Sequence, residues 1–411
     1  MIEEIHKKWL EELPAPNGML KNIQYEARKL LISLGIPKNS QEEWRLTNIK
    51  KIKAFISLPL AKEEEIEKKL SKHWPETPKN SSRIILNHKS IKNIVLPKGV
   101  QLLSEKELQE KLEETKQTES NPNNWTQIIN QACTNDILAL KINSEETVSL
   151  EILMPTEESA LSSTRILIIL DQKAKLNLLQ IALGSKNSAT NNLIEVYLND
   201  SAEMDHGFIG LGKGEANLIT QICIKQEERS IYSLNSIQNG WQISRIEPRV
   251  IQKKGQASTT LKGLQVSSGN QQLATHSFVR FEGPEGSLNQ LQKSVATKQS
   301  HCIFNGAINV PQIAQRTNAS QLSRNLLISN EAKIDTKPEL EIIADDVKCA
   351  HGATVSQLQE DELFYLRSRG INNEQATSLL LQGYCQEILD KLPVAANRWN
   401  ILEEIIKDIK Q

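Results

Sequence analysis

The chain of 411 residues carries 49 Lys and Arg against 50 Asp and Glu, a formal net charge of -1 with its seven histidines neutral. That balance gives no whole-molecule attraction to nucleic acid or to an anionic membrane. Hydrophobic residues at 38% and charged residues at 24% describe a soluble globular protein of two or three units, and no window holds the run of about 18 apolar residues that a spanning helix needs.

The opening MIEEIHKKWLEELP mixes acids with bases and lacks both a signal-peptide apolar core and an Arg-rich, acid-poor transit character, so a mature cytoplasmic start is expected. Residues 1–140 are read as a mostly helical N-terminal domain. In LKNIQYEARKLLISLGIP, Ile23, Ala27, Leu30, Leu31 and Leu34 recur at helical spacing, with Gly35 and Pro37 as the stop. The charge run Lys62–Lys72 predicts a solvated helix, and Trp44 with Arg45 in QEEWRLTNI predicts a packed aromatic beside a cation. IILNHKSIKNIVLP reads as extended chain before the helical LSEKELQEKLEETK, and ESNPNN, ending at Asn124, is the candidate linker.

From about residue 141 to 358 short β-type runs replace the helical pattern: VSLEILM, RILIIL, KLNLLQIAL, NLIEVYL, NLITQICI and ELEII. Three intervening turns share one spacing, Leu170 to Ala174 to Leu176, Leu198 to Ala202 to Met204, and Ile328 to Ala332 to Ile334. A small residue inside a tight corner between core-facing apolar residues suits stacked coils, and an antiparallel sandwich fits the periodicity equally well. Residues 359–411 return to helix. Asn372 stands as N-cap with Gln375 three residues on, Ala376, Leu379, Leu380, Gly383, Tyr384 and Ile388 line one face, and a second helix runs roughly from Trp399 to Lys410.

Standard catalytic signatures are missing from the sequence: there is no phosphate-binding GxxxxGK[ST], no GxGxxG after a strand, no HExxH and no GxSxG. The cysteines, Cys133, Cys223, Cys302, Cys349 and Cys385, are odd in number with no CxxC, which disfavours a disulfide framework or a self-contained zinc or iron-sulfur site. The segment EIIADDVKCAHGATV stands out. If it is extended, Cys349 and His351 project from one face, where a thiolate and an imidazole can converge on one ion as half a metal site. His301 and Cys302 are adjacent and diverge, and His206 and His276 are isolated and read as structural.

The 68 residues from Phe304 to Ile371, beginning FNGAINVPQIAQRTNASQ and containing KCAHGAT, resemble the signature region of the SufB/SufD family of iron-sulfur cluster assembly scaffolds. KCAHGAT is similar to the SufD branch. The SufB branch carries a glutamate-rich version with extra cysteines upstream, and none stands here between Cys302 and Cys349. Ser356 and Gln359 depart from the family's usual Gly and Asp at surface positions. The resemblance implies a mainly β fold, a right-handed parallel β-helix core flanked by N-terminal and C-terminal α-helical domains. It implies no enzyme activity, no intrinsic nucleotide site, and a SufB-SufC-SufD complex. There the β-helix pairs with that of SufB and the C-terminal helices dock the SufC ATPase, while the sequence leaves open whether a homodimer forms without SufB. Cys349 and His351 then serve as metal ligands for iron or a nascent iron-sulfur cluster, transiently shared with SufB, and nucleotide-driven SufC closure strains the paired helices and exposes them. Competing expectations are a purely architectural subunit and a stand-alone β-solenoid binding protein or enzyme.

Overall fold

The computed structural model describes residues 2–61, 74–77, 81–87, 94–118 and 124–410. The charge run Lys62–Lys72, the middle of IILNHKSIKNIVLP and all of the candidate linker but Asn124 lie outside them.

Among the described residues eighteen strands form two nine-stranded sheets, one holding the even-numbered strands with β1 (Ser82–Ile85) at its edge, the other the odd-numbered strands with β2 (Val100–Leu102). From β3 (Leu138–Ile142) onward consecutive strands therefore alternate between sheets, and each pairs in parallel with the strand one coil later. Leu161 stands opposite Ala189, and Ala189 opposite Asn217. β2 on β3 (Leu138–Ile142) is the antiparallel pair. This is a parallel β-solenoid, so the sandwich alternative falls.

The corners show why this sequence coils. Ala174 N–H bonds to Asp171 O and Ala202 N–H to Asn199 O, both at 3.0 Å, and Ala332 N–H to Ser329 O at 3.3 Å. All three alanines lie in the core between the sheets. Lys173 and Ser201, just before two of them, have φ of 61° and 59°. Left-handed backbone turns the chain inward, and a small following residue lets the corner close without displacing the core. Ala202→Leu is expected to overpack its corner by about 1–3 kcal/mol, and Ser201→Gly to be neutral or stabilising, both read from denaturant midpoints.

Both faces of each sheet are covered, which is why the central strands read as nearly continuous apolar runs. N-terminal helices and the helix Trp125–Cys133 pack on Leu161, Ala189, Ile219 and Ile243 of the odd-numbered sheet. Two sequence expectations shift here. Helix Lys21–Leu34 buries Gln24, Ala27 and Leu31 and leaves Leu30 and Leu34 exposed, because Gln24 Nε2 reaches the Thr134 carbonyl at 2.8 Å. The cation on Trp44 is Arg245, 4.1 Å from the ring centroid, and Arg45 pairs instead with Glu42.

The C-terminal helices cover the even-numbered sheet. Asn372 Oδ1 accepts from Gln375 N–H at 2.9 Å, the expected cap, and helix Asn373–Leu389 follows. Its inward edge is Leu381, Cys385 and Ile388 rather than Leu379 and Leu380, since buried Lys293 Nζ meets the Tyr384 carbonyl at 2.7 Å and Glu387 Oε2 at 2.6 Å. Helix Ile401–Lys410 is shorter than expected, with Trp399 in a preceding 3₁₀ turn. No helix among the described residues is long and apolar enough to cross a membrane.

Candidate metal centre

The solenoid ends on β17 (Lys333–Ile342) and β18 (Lys348–Gln357), the last strands of their sheets. Each is paired on one side, so each presents a free row of backbone N–H and C=O groups. In this last coil no strand residue is fully buried.

Register places the two candidate ligands. Cys349 stands opposite Ala319 and His351 opposite Gln321. Ala319 belongs to the core and Cys349 packs against it, so this face of β18 looks into the solenoid, and strand alternation puts His351 on it too. Cys349 is half-buried, while His351 is exposed at the open mouth. Burial pushes the Cys349 thiol up, against a backbone hydrogen bond to Ala319 that lowers it. It is a thiol at neutral pH, and metal must displace its proton. Since His351 is already accessible in the single chain, exposure by an outside force concerns Cys349.

No group of three or more His, Cys, Asp or Glu residues is poised for a metal among the described residues. Cys349 and His351 therefore have no third such donor beside them among the described residues. The weaker candidates separate as expected: His301 Nε2 meets Asp335 Oδ2 at 2.6 Å, whereas Cys302 is buried against Ser267. His206 is enclosed between Gln180 Oε1 at 2.7 Å and Tyr232 Oη at 2.9 Å, and burial pulls its pKa down to about 3. His276 sits 3.2 Å from Arg245, and burial and then that guanidinium hold it well below its ordinary value.

Sequence reasoning missed the buried polar partners. Glu151 is fully buried and takes Arg83 Nε at 2.6 Å, Arg398 Nη2 at 2.8 Å and Trp399 Nε1 at 3.0 Å. Arg165 with Glu195 at 2.8 Å, and Arg245 with Glu247 at 2.5 Å, are similarly enclosed. The available signal was a charge inside an apolar strand, as in RILIIL, with nothing local to name its partner.

A family model described as "SUF system FeS cluster assembly, SufBD core domain" matches residues 153–384, more than half of the chain and nearly all of the solenoid. The chain belongs to the SufBD family. It is 31% identical to an iron-sulfur cluster assembly SufBD family protein of Synechocystis, over 92% of this chain and 89% of that one. It is 41% identical to the iron-sulfur cluster assembly protein SufD of Escherichia coli, over 28% of this chain and 27% of that one. With the chloroplastic protein ABCI7 of Arabidopsis thaliana it shares 32% identity, over 56% of this chain and 50% of that one. For this SufBD protein the open coil and its Cys–His pair thus lie in the half of the chain the family model describes.

Proposed function

We propose that this SufBD protein is a non-ATPase scaffold subunit that builds iron-sulfur clusters with SufB and SufC, acting through the SufB-SufD interface. The observation that carries this is the last coil. Its two unpaired strand edges suit extension by the β-helix of a partner, and Cys349 and His351 stand on the same coil. The pair supplies a soft thiolate and an imidazole, and SufB supplies the remaining ligands to the cluster, which is cargo.

SufC docks on the C-terminal helices. Most of their apolar stripe is committed to the sheet, so the docking surface is what stays outside, chiefly Phe364, Tyr365, Leu379 and Val394, 71%, 58%, 46% and 83% exposed. A pull on these helices reaches β14 (Ser287–Ala296) through Lys293 and β16 (Asn318–Leu327) through Tyr384 Oη, which donates to Arg324 O at 2.7 Å. From β16, Asn325 Nδ2 donates to Thr354 O of β18 at 3.0 Å. Nucleotide-driven closure of SufC thereby strains the coil that holds half-buried Cys349. The work is done in the cytoplasm.

The test is anaerobic co-expression with SufB and SufC from the same genome, comparing wild type with Cys349→Ala and His351→Ala. Intact complexes with lost iron and lost visible iron-sulfur absorption are expected. Intact complexes with unchanged spectra would reduce the chain to an architectural subunit, and failure of any complex to form would return it to a solitary solenoid.

A further inference from the structure

Three side chains inside the last coils stand in one register column, Gln290 opposite Gln321 and Gln321 opposite His351. The two glutamines are 3% and 1% exposed. Gln290 Nε2 donates to Ser277 Oγ at 2.7 Å, and Gln321 Nε2 donates to Gln290 Oε1 at 2.8 Å. Each amide thus uses its donor on a group further inside the solenoid, and the chain of hydrogen bonds has a direction. It ends on Gln321 Oε1, which is buried without a hydrogen-bond partner.

Such an orphan acceptor is uncommon in a native interior, where polar atoms are nearly always paired. Gly306 on β15 (His301–Val310) makes room for the Gln321 amide itself, since a Cβ at that glycine would fall 2.4 Å from Gln321 Nε2 and 2.6 Å from the Phe304 ring. The next rung of the column carries His351, a ring with an N–H to give and no hydrogen bond among the described residues.

We propose that Gln321 is the positioning residue for His351. Its Oε1 accepts one imidazole N–H when the exposed ring turns into the lumen. That bond selects the tautomer and leaves the lone pair of the other ring nitrogen directed at the iron, the role that outer carbonyls and carboxylates play behind metal-bound histidines. The inference rests on the reading of His351 as a ligand only in its last step; the glutamine–imidazole contact stands or falls by itself.

The test begins with the full chain alone, labelled with ¹⁵N-histidine, the His351 signals being identified by their loss in His351→Ala. Wild type is expected to show one tautomer and a slowly exchanging ring N–H. Gln321→Met, close in volume but without the acceptor, should give the solvent-like tautomer mixture and fast exchange. Gln321→Asn, whose shorter amide falls out of reach, carries the same comparison if the methionine variant does not fold. Identical His351 signals in wild type and the acceptor-less variant would overturn the inference and leave the proposed function untouched. In the complex with SufB and SufC, Gln321→Met is expected to retain about 10-fold less iron. Full iron retention by a complex whose tautomer preference is gone would instead overturn the ligand role of His351.

Discussion

Replacing Glu151 with Ala is expected to lower stability by about 3 kcal/mol, the lower end of the cost of removing one partner from a buried charge cluster, because the partners left behind are half-buried. Glu151, on β4 (Val148–Pro155), is 0% exposed and joins three regions distant in sequence: Arg83 of β1, its own strand, and Arg398 with Trp399 ahead of the last helix. Its loss removes the carboxylate from Arg83 and Trp399 and leaves Arg398 with the Glu76 carbonyl alone. The damage should be uneven. The solenoid keeps its ladders and core, while helix Ile401–Lys410 loses the anchor just before it. Hydrogen exchange is therefore expected to rise first in that helix. Arg398→Met, which leaves Arg83 on the carboxylate, should cost less. An unchanged denaturation midpoint for Glu151→Ala would show that the cluster contributes nothing net.

Acid is the second large lever. His206 is buried neutral with a pKa of about 3 against an ordinary 6.5, and His276 is also held well below that value. The unfolded chain protonates both near pH 6.5 while the folded chain does not, so it binds more protons and stability falls as pH drops from there. For His206 the loss by pH 4 is on the order of 3 kcal/mol, at about 1.4 kcal/mol per pH unit. Glu247 adds a lower window. Burial alone would raise its pKa, but the guanidinium groups of Arg245 and Arg249 outweigh that and hold it at about 2 against an ordinary 4.5. Stability from this depressed carboxylate is present above the unfolded value and is lost as pH falls through the folded one. Denaturant midpoints measured from pH 7 to pH 3 should decline steadily, and His206→Gln should flatten the upper part of that decline. A His206→Gln profile parallel to wild type would mean that His206 is not held neutral.

These two predictions rest on contacts that no local pattern announces, whereas the fold itself was largely legible. Corner alanines at repeated spacing, β-type runs without alternation and a capped terminal helix are local features, because turn closure, strand propensity and capping act over a few residues. Periodicity left stacked coils and a sandwich level, since both bury short apolar strands; the parallel register separated them. Helix faces were misplaced by a residue where a long polar side chain, Gln24 or Lys293, bonded a distant carbonyl and turned the helix.

The same division holds for the site. By itself the sequence determined that Cys349 and His351 share a strand face, because alternation is a property of any extended chain. It also determined the family, through the residues from Phe304 to Ile371. Only the tertiary structure decided that this strand is the last of its sheet, that Cys349 is half-buried while His351 is open, and that Gln321 lies opposite His351 with a vacant acceptor. The reason is register. Coils of about thirty residues bring Gln290, Gln321 and His351 into one column, and which residue faces which depends on how every intervening corner closes.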